Sequence, residues 1–273
     1  MDMISLSMLG FGAALIASGA LAGFLAGLFG IGGGAILVPI LVTVLTHVGV
    51  DTTNVVQISV ASSLGVIGPT SLRSFFAHKK RGAVDLALLK SWIIPVPLGV
   101  FLASYVAAIV SGETLKAIFA GIAFVVAMSM LFNRESWKLG NDIPGNPTRS
   151  FIGVLVGFFS TLMGIGGGVL NNTFMTLFGR SIHQAVATSS GVGVLISIPA
   201  IIGMVAAGWG APNLPPFSVG YINLLAVALI IPISTYMAPM GAQFAHNLSR
   251  RKLEIAFGIF LLIAAGQFIY SLL

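Results

Sequence analysis

The chain has no cysteine, which excludes disulfides, thiol catalysis and cysteine-ligated zinc. Charge is nearly as scarce: 7% of its 273 residues are Asp, Glu, Lys or Arg, where a soluble domain carries about a quarter. The acids Asp2, Asp51, Asp85, Glu113, Glu135, Asp142 and Glu254 all fall at the ends of apolar runs or between them. With no carboxylate inside such a run there is no acid/base dyad and no proton relay, so an intramembrane enzyme is not expected. His47, His78, His183 and His246 also sit near run ends, and no two have the helical spacing of metal ligands. The sequence therefore calls for no metal and no cofactor.

What fills the chain instead is oil. At 57% hydrophobic residues it reads as an integral membrane protein whose bulk partner is the lipid bilayer. The isoelectric point near 10.0 does not imply a nucleic-acid partner, because the basic residues lie in short clusters between apolar runs. The first run, MDMISLSMLGFGAALIASG, has no Lys or Arg ahead of it and begins with acidic Asp2. It is expected to be a membrane span rather than a cleaved signal peptide.

A ruler of about 20 apolar residues per span marks ten segments, roughly 5–29, 34–48, 56–77, 83–111, 114–132, 149–163, 168–180, 184–207, 218–245 and 252–272. Two of them, 34–48 and 168–180, are short, and each follows the pentapeptide Gly-Ile-Gly-Gly-Gly. A short apolar run after a glycine break has the form of a re-entrant or discontinuous helix. The long polar interval 133–149, with Pro144 and Pro147, reads as a cytoplasmic linker between residues 1–132 and 150–273.

The two parts resemble each other. GFLAGLFGIGGGAILVP (23–39) lies over GFFSTLMGIGGGVLNNT (157–173), QISVASSLGV (57–66) over QAVATSSGV (184–192) with one residue of slippage, and Pro97-Leu98-Gly99 over Pro239-Met240-Gly241. This is the mark of a duplication. Five segments per copy is an odd number, so the second copy must enter the membrane upside down. The basic residues agree: Lys79, Lys80, Arg81, Arg134, Lys138, Arg149, Arg180, Arg250, Arg251 and Lys252 fall on one expected face, with Arg73 and Lys90 near it and Lys116 alone opposite. That face is expected to be cytoplasmic and both termini periplasmic. The expected fold is an all-α integral membrane protein of about ten transmembrane or half-spanning helices, in two inverted five-segment repeats broken at GIGGG.

Paired broken helices in inverted repeats are the usual architecture of secondary transporters, with the site at the repeat interface. A helix N-terminus presents unpaired N–H groups and the positive end of the macrodipole, which favours an anion. Gly30, Gly32, Gly33 and Gly34, and Gly164, Gly166, Gly167 and Gly168, are therefore candidate binding residues. Close helix packing is the alternative for any one of them. A dinucleotide loop (Gly30, Gly32, Ala35) is disfavoured because the second copy ends in Val169. Neutral hydroxyl and amide groups at matching places add Gln57, Ser62, Ser63, Gln184, Thr188, Ser189 and Ser190, with Asn171 and Asn172 in the first turns after the second break. Each hydroxyl alone could instead bond back to its own helix. Arg73 is a candidate cation on the anion path, with snorkelling as the alternative.

The doubled GFLAGLFGIGGG and GFFSTLMGIGGG, followed by VASS and AVATSS, resemble the TauE/SafE-like sulfite exporter family of membrane permeases across essentially the whole chain. That resemblance implies bacterial inner-membrane transport, often export, of small sulfur-containing anions such as sulfite, sulfoacetate or related organosulfonates. Its motif positions fall here on Gly30 to Gly34, Gly164 to Gly168, Ser62, Ser63, Thr188 and Ser189. The family's proline beyond the glycines is kept as Pro39, but Thr173 replaces it in the second copy, after Asn171 and Asn172. The expected function is a secondary transporter of a small anion; an anion channel, an uptake permease for an organic acid, and a non-transporting assembly or sensor protein are the alternatives.

Overall fold

The computed structural model describes residues 3–29, 34–47, 49–51, 53–132, 138–245 and 250–272, so Gly30, Gly32 and Gly33 lie outside the described residues. Before the linker run α1 (Met3–Phe29), α2 (Gly34–His47), α3 (Val55–Lys80), α4 (Leu86–Trp92), α5 (Pro95–Ile109) and α6 (Gly112–Phe132). After it come α7 (Thr148–Leu162), α8 (Gly168–Leu177), α9 (Ile182–Ala207), a small hairpin of β1 (Ser218–Val219) and β2 (Ile222–Asn223), α10 (Leu224–Ala245) and α11 (Arg250–Tyr270).

Eight of the ten expected segments become single helices within a few residues of their expected ends, and two differ. The run 83–111 is two helices, α4 and α5, bent by 48°. Pro95 at the first position of α5 has no N–H to continue the α4 ladder, so the chain restarts there. Residues 218–223 do not open a helix; they form the antiparallel β1–β2 pair around Gly220, whose φ of 55° suits a tight turn. The exposed side chains of Ile94, Val125, Ile202, Tyr236 and Ile263 cover the outside of the helix bundle, the surface expected of a protein solvated by lipid.

Helix pairing crosses the linker. α1 packs on α10, α7 on α5, α3 on α9 and α6 on α11. In the α1–α10 pair Gly19 abuts Ile230 and Gly23 abuts Ser234; in the α7–α5 pair Gly153 abuts Trp92 and Pro95, and Gly157 abuts Val96. Both pairs therefore run parallel, through a small-xxx-small stripe that lets backbones touch. A Cβ on Gly157 would overlap the Val96 carbonyl oxygen, and one on Gly23 would overlap Ser234 Cα.

A second correspondence joins α3 and α9 to the fourth segments. Ser62 Oγ on α3 accepts the N–H of Asn223 at 3.0 Å, and Asn223 caps α10 by accepting from Ala226 N at 2.8 Å. Thr188 Oγ1 on α9 accepts the N–H of Asp85 at 2.9 Å, and Asp85 caps α4 by accepting from Leu88 N at 2.9 Å. The same device occurs twice with its parts taken from opposite sides of the linker.

The short helices turn back. Leu139 N donates to Leu177 O at 2.9 Å and Arg180 pairs with Asp142 at 2.6 Å, so α8 ends beside the linker from which α7 starts. At 1.5 Å per residue α8 rises only about 15 Å, half of a bilayer core. On the other face, Asn213 Nδ2 donates to Asp51 Oδ2 at 2.8 Å and Asn54 Nδ2 to the Pro212 carbonyl at 2.9 Å. The end of α2 therefore lies on the 208–223 side, from which α10 starts and, running parallel to it, α1 as well. In each glycine-broken pair the short helix ends on the side of the bundle from which the preceding helix starts, and the two pairs start from opposite sides. Among the described residues five helices are long and apolar enough to cross a membrane, and the bent α4–α5 pair makes a sixth.

Candidate functional site

The start of α2 meets the second break in the centre of the bundle. A Cβ on Gly34, the first residue of α2, would overlap the Gly164 carbonyl oxygen and lie 2.7 Å from Ile165 Cα and Ile67 Cδ1. Ser63 Oγ, fully buried on α3, donates to that same Gly164 carbonyl at 2.8 Å. Gly164 (φ 63°) and Gly167 (φ 74°) hold left-handed conformations, which L side chains rarely adopt, and Gly167 is the N-cap of α8. The second GIGGG is therefore a fixed turn packed against the start of α2.

Beneath this contact lies a cavity of about 530 Å³ between α1, α2, α3, α8, α9 and α10, within the size range of small-molecule sites. Gly34, Gly166 and Gly168 form its inner end. Its walls carry seven hydroxyls, from Thr70, Ser71, Ser74, Ser189, Ser190, Ser234 and Thr235, and among the described residues the single charged side chain lining it is Arg73. Among the described residues no carboxylate lines it. Arg73, Ala77 and Pro239 are exposed at the outer end, on the side where α3 runs into Lys79, Lys80 and Arg81. Thr70, Ser189, Ser190 and Ser234 already donate their protons to Val66 and Ile67, Asn172, Ala187 and Ile231. The donors this leaves to the cavity are the Ser71, Ser74 and Thr235 hydroxyls and the Arg73 cation, with no negative charge among the described lining residues to repel an anion.

The sequence candidates divide between this cavity and its supports. Gly34, Gly166, Gly168, Ser189, Ser190 and Arg73 line it. Asn171 and Asn172 stand behind the wall: Asn171 Nδ2 donates to Ser189 Oγ at 2.7 Å, and Ser189 Oγ donates to Asn172 Oδ1 at 2.7 Å. Together they fix the direction of the Ser189 hydroxyl. Ser62 and Thr188 bond the caps of α10 and α4, Ser63 bonds the Gly164 turn, and Ser190 Oγ also donates to the Ala187 carbonyl at 2.6 Å. Gln57 and Gln184 are each the third residue of their helix and so lie at opposite faces. Gln57 Nε2 donates to the Val110 carbonyl at 3.3 Å.

Sequence reasoning missed Thr70, Ser71, Ser74, Ser234 and Thr235. The available signal was the polar turn TSLRS at 70–74, which places three hydroxyls around Arg73 in an otherwise apolar helix. Outside the spans, Asp51 is held below the usual carboxylate range, first by the backbone N–H of Thr53 and then by the Thr53 hydroxyl and the Asn213 amide.

Residues 15–268 match the family described as Sulfite exporter TauE/SafE. The chain is 34% identical over 248 residues to a probable membrane transporter protein of Haemophilus influenzae, covering 90% of this chain and 94% of that one. A probable membrane transporter protein of Methanocaldococcus jannaschii is 29% identical over 243 residues, covering 88% and 89%. A probable membrane transporter protein of Bacillus subtilis, YunE, is 25% identical over 278 residues, covering 94% and 97%. No solved structure matches the chain. The match runs from α1 into α11 and takes in the second glycine turn, the start of α2 and the cavity beneath them: this multi-pass membrane protein belongs to the sulfite exporter TauE/SafE family.

Proposed function

We propose that the chain is a secondary transporter of a small oxyanion, with sulfite or an organosulfonate as the favoured class, moving outward across a bacterial inner membrane. The observation that carries this is the composition of the cavity lining: the Ser71, Ser74 and Thr235 hydroxyls, the starts of α2 and α8, and Arg73, with no carboxylate among the described lining residues. Hydroxyls and helix N-termini donate to an oxyanion without the tight pairing of several cations. The sulfur-containing cargo follows the family's description.

Two inverted repeats, residues 1–132 and 150–273 about the linker 133–149, account for the pairings that cross it. The positive-inside rule assigns the face bearing Lys79, Lys80, Arg81, Lys138, Arg149, Arg180, Arg251 and Lys252 to the cytoplasm, which leaves both termini periplasmic and the cavity facing inward. The Gly34–Gly164 contact, backed by buried Met163 and Ile165, then serves as the outer barrier. Alternating access proceeds by moving the re-entrant pairs against the six spans. Outward movement of a dianion across an inside-negative membrane gains about 4.6 kcal/mol per 100 mV, twice the single-charge figure, so export requires no coupled ion.

Thermal-shift binding of the purified protein to sulfite, sulfate, thiosulfate, sulfoacetate, taurine and carboxylates tests the assignment. Stabilisation by sulfite or sulfoacetate at concentrations where taurine and carboxylates have no effect is expected. A response confined to carboxylates would assign an organic-acid permease instead.

A further inference from the structure

Among the described residues, three side chains in the bundle combine full burial with a polar oxygen that finds no hydrogen-bond partner in the protein: Ser160 Oγ, Asn171 Oδ1 and Ser197 Oγ. A buried polar atom left unpaired is unfavourable, so each such atom asks for a reason. Their positions share one. The two halves correspond through Gly23 and Gly157, each on the other half's fourth segment, through Gly34 and Gly168, each opening a short helix, and through Ser62 and Thr188, each holding a cap. Ser160 follows Gly157 as Ala26 follows Gly23; Asn171 follows Gly168 as Leu37 follows Gly34; Ser197 follows Thr188 as Ser71 follows Ser62. Ala26, Leu37 and Ser71 all line the cavity. Contacts agree: the Ser71 side chain lies against Gly193 on α9, and the Ser197 hydroxyl lies 3.6 Å from a Cβ built on Gly68 of α3.

We propose that Ser160, Asn171 and Ser197 line a second, opposite-facing half-site, closed in this conformation, that receives the anion when the cavity opens to the other face. The inference rests on the alternating-access reading above. It explains why these polar groups stand unpaired in this state: their partner is the anion and the water that accompany the other one. It also exposes an asymmetry. By the same correspondence Arg73 maps onto Pro199, so the second half-site has hydroxyls and an amide but no cation. An anion is drawn in where Arg73 waits and held only by neutral groups where it leaves.

The absence of native cysteine permits a direct test with single-cysteine proteins. Ser160→Cys and Ser197→Cys, with Ala26→Cys and Ser71→Cys as reporters of the open cavity, are treated with a membrane-impermeant maleimide on intact cells and on inverted vesicles. Labelling of Ser160→Cys and Ser197→Cys from the outside, and of the two reporters from the inside, is expected. If both test positions stay unlabelled from either face while the same proteins carry sulfite, the second half-site is wrong and the transport reading stands. If they label from outside but no tested anion moves, the half-site stands and the anion reading falls. A parallel measurement guards against misfolded cysteine variants: Ser160→Ala and Ser197→Ala should leave the melting temperature unchanged or higher. Their half-saturating sulfite concentration at the outer face should rise about tenfold for a lost hydrogen bond to a charged ligand. A lowered melting temperature with unchanged half-saturation would make both hydroxyls structural and overturn the proposal.

Discussion

Gly34→Ala tests the contact between the start of α2 and the second break most severely. The added Cβ would overlap the Gly164 carbonyl oxygen and sit 2.7 Å from Ile165 Cα and from Ile67 Cδ1. Unbonded carbons rest about 3.5–4.0 Å apart, so the gap must widen by roughly 1 Å. Ile67 can rotate aside, but Gly164 and Ile165 present backbone in a turn with φ of 63° at Gly164 and a carbonyl bonded to Ser63. Overpacking of this kind costs about 1–3 kcal/mol, and stretching the Ser63 bond adds about 1 kcal/mol. The gain from replacing glycine in a helix is at most about 1 kcal/mol, and smaller at a first residue. A net loss of about 1–3 kcal/mol is expected, read as a lower melting temperature in detergent and as reduced anion flux in liposomes. Gly121→Ala is the control: its Cβ would meet nothing within 4 Å, so a gain of about 0.5–1 kcal/mol is expected. Wild-type melting and flux in Gly34→Ala would refute the contact between Gly34 and the Gly164 turn.

Arg73→Gln should raise the half-saturating sulfite concentration about fivefold, the effect of removing about 1 kcal/mol from a solvent-exposed charge interaction, while Arg73→Lys retains most of the affinity; liposome flux against concentration measures both. Ser62→Ala strands the buried N–H of Asn223 and should destabilise by about 1–3 kcal/mol; Thr188→Val strands the half-buried N–H of Asp85, which water can reach, and should cost less. Chemical denaturation in detergent checks this order. Asp51 has its folded pKa depressed by Thr53 and Asn213. Its contribution to stability is therefore full above the unfolded value of about 3.9 and is lost as pH falls through the lower folded value. Melting curves between about pH 5 and pH 2 should show that decline flattened in Asp51→Asn.

Much of this architecture was legible in the residues because the chain repeats itself. One GIGGG is a weak signal; two, each before a short apolar run, mark the starts of the short helices α2 and α8. The bend at Ile93 and Ile94 was also written in the sequence, as Pro95 and Pro97, but a hydropathy window averages over it. The hairpin at 218–223 escaped for the same reason: alternation over four paired residues is too short to stand out in an apolar run.

The site was legible in its turn and illegible in its walls. Ser189, Ser190 and Arg73 reach the cavity, whereas Ser62, Ser63 and Thr188, equally prominent in sequence, bind backbone across the linker. Which of two adjacent hydroxyls faces the cavity depends on helix rotation, and that is set by the glycine contacts of other helices. Asn171 and Asn172 stand out as polar residues after a break, and their role emerges only with Ser189 between them.

The central claim, that this cavity carries an oxyanion, is tested most directly by sulfite efflux from proteoliposomes under an imposed potential with no pH gradient. Saturable efflux that accelerates when the sulfite-containing side is made negative, and that slows in Arg73→Gln, is the predicted result. Flux that ignores the potential and the Arg73 substitution alike would contradict it.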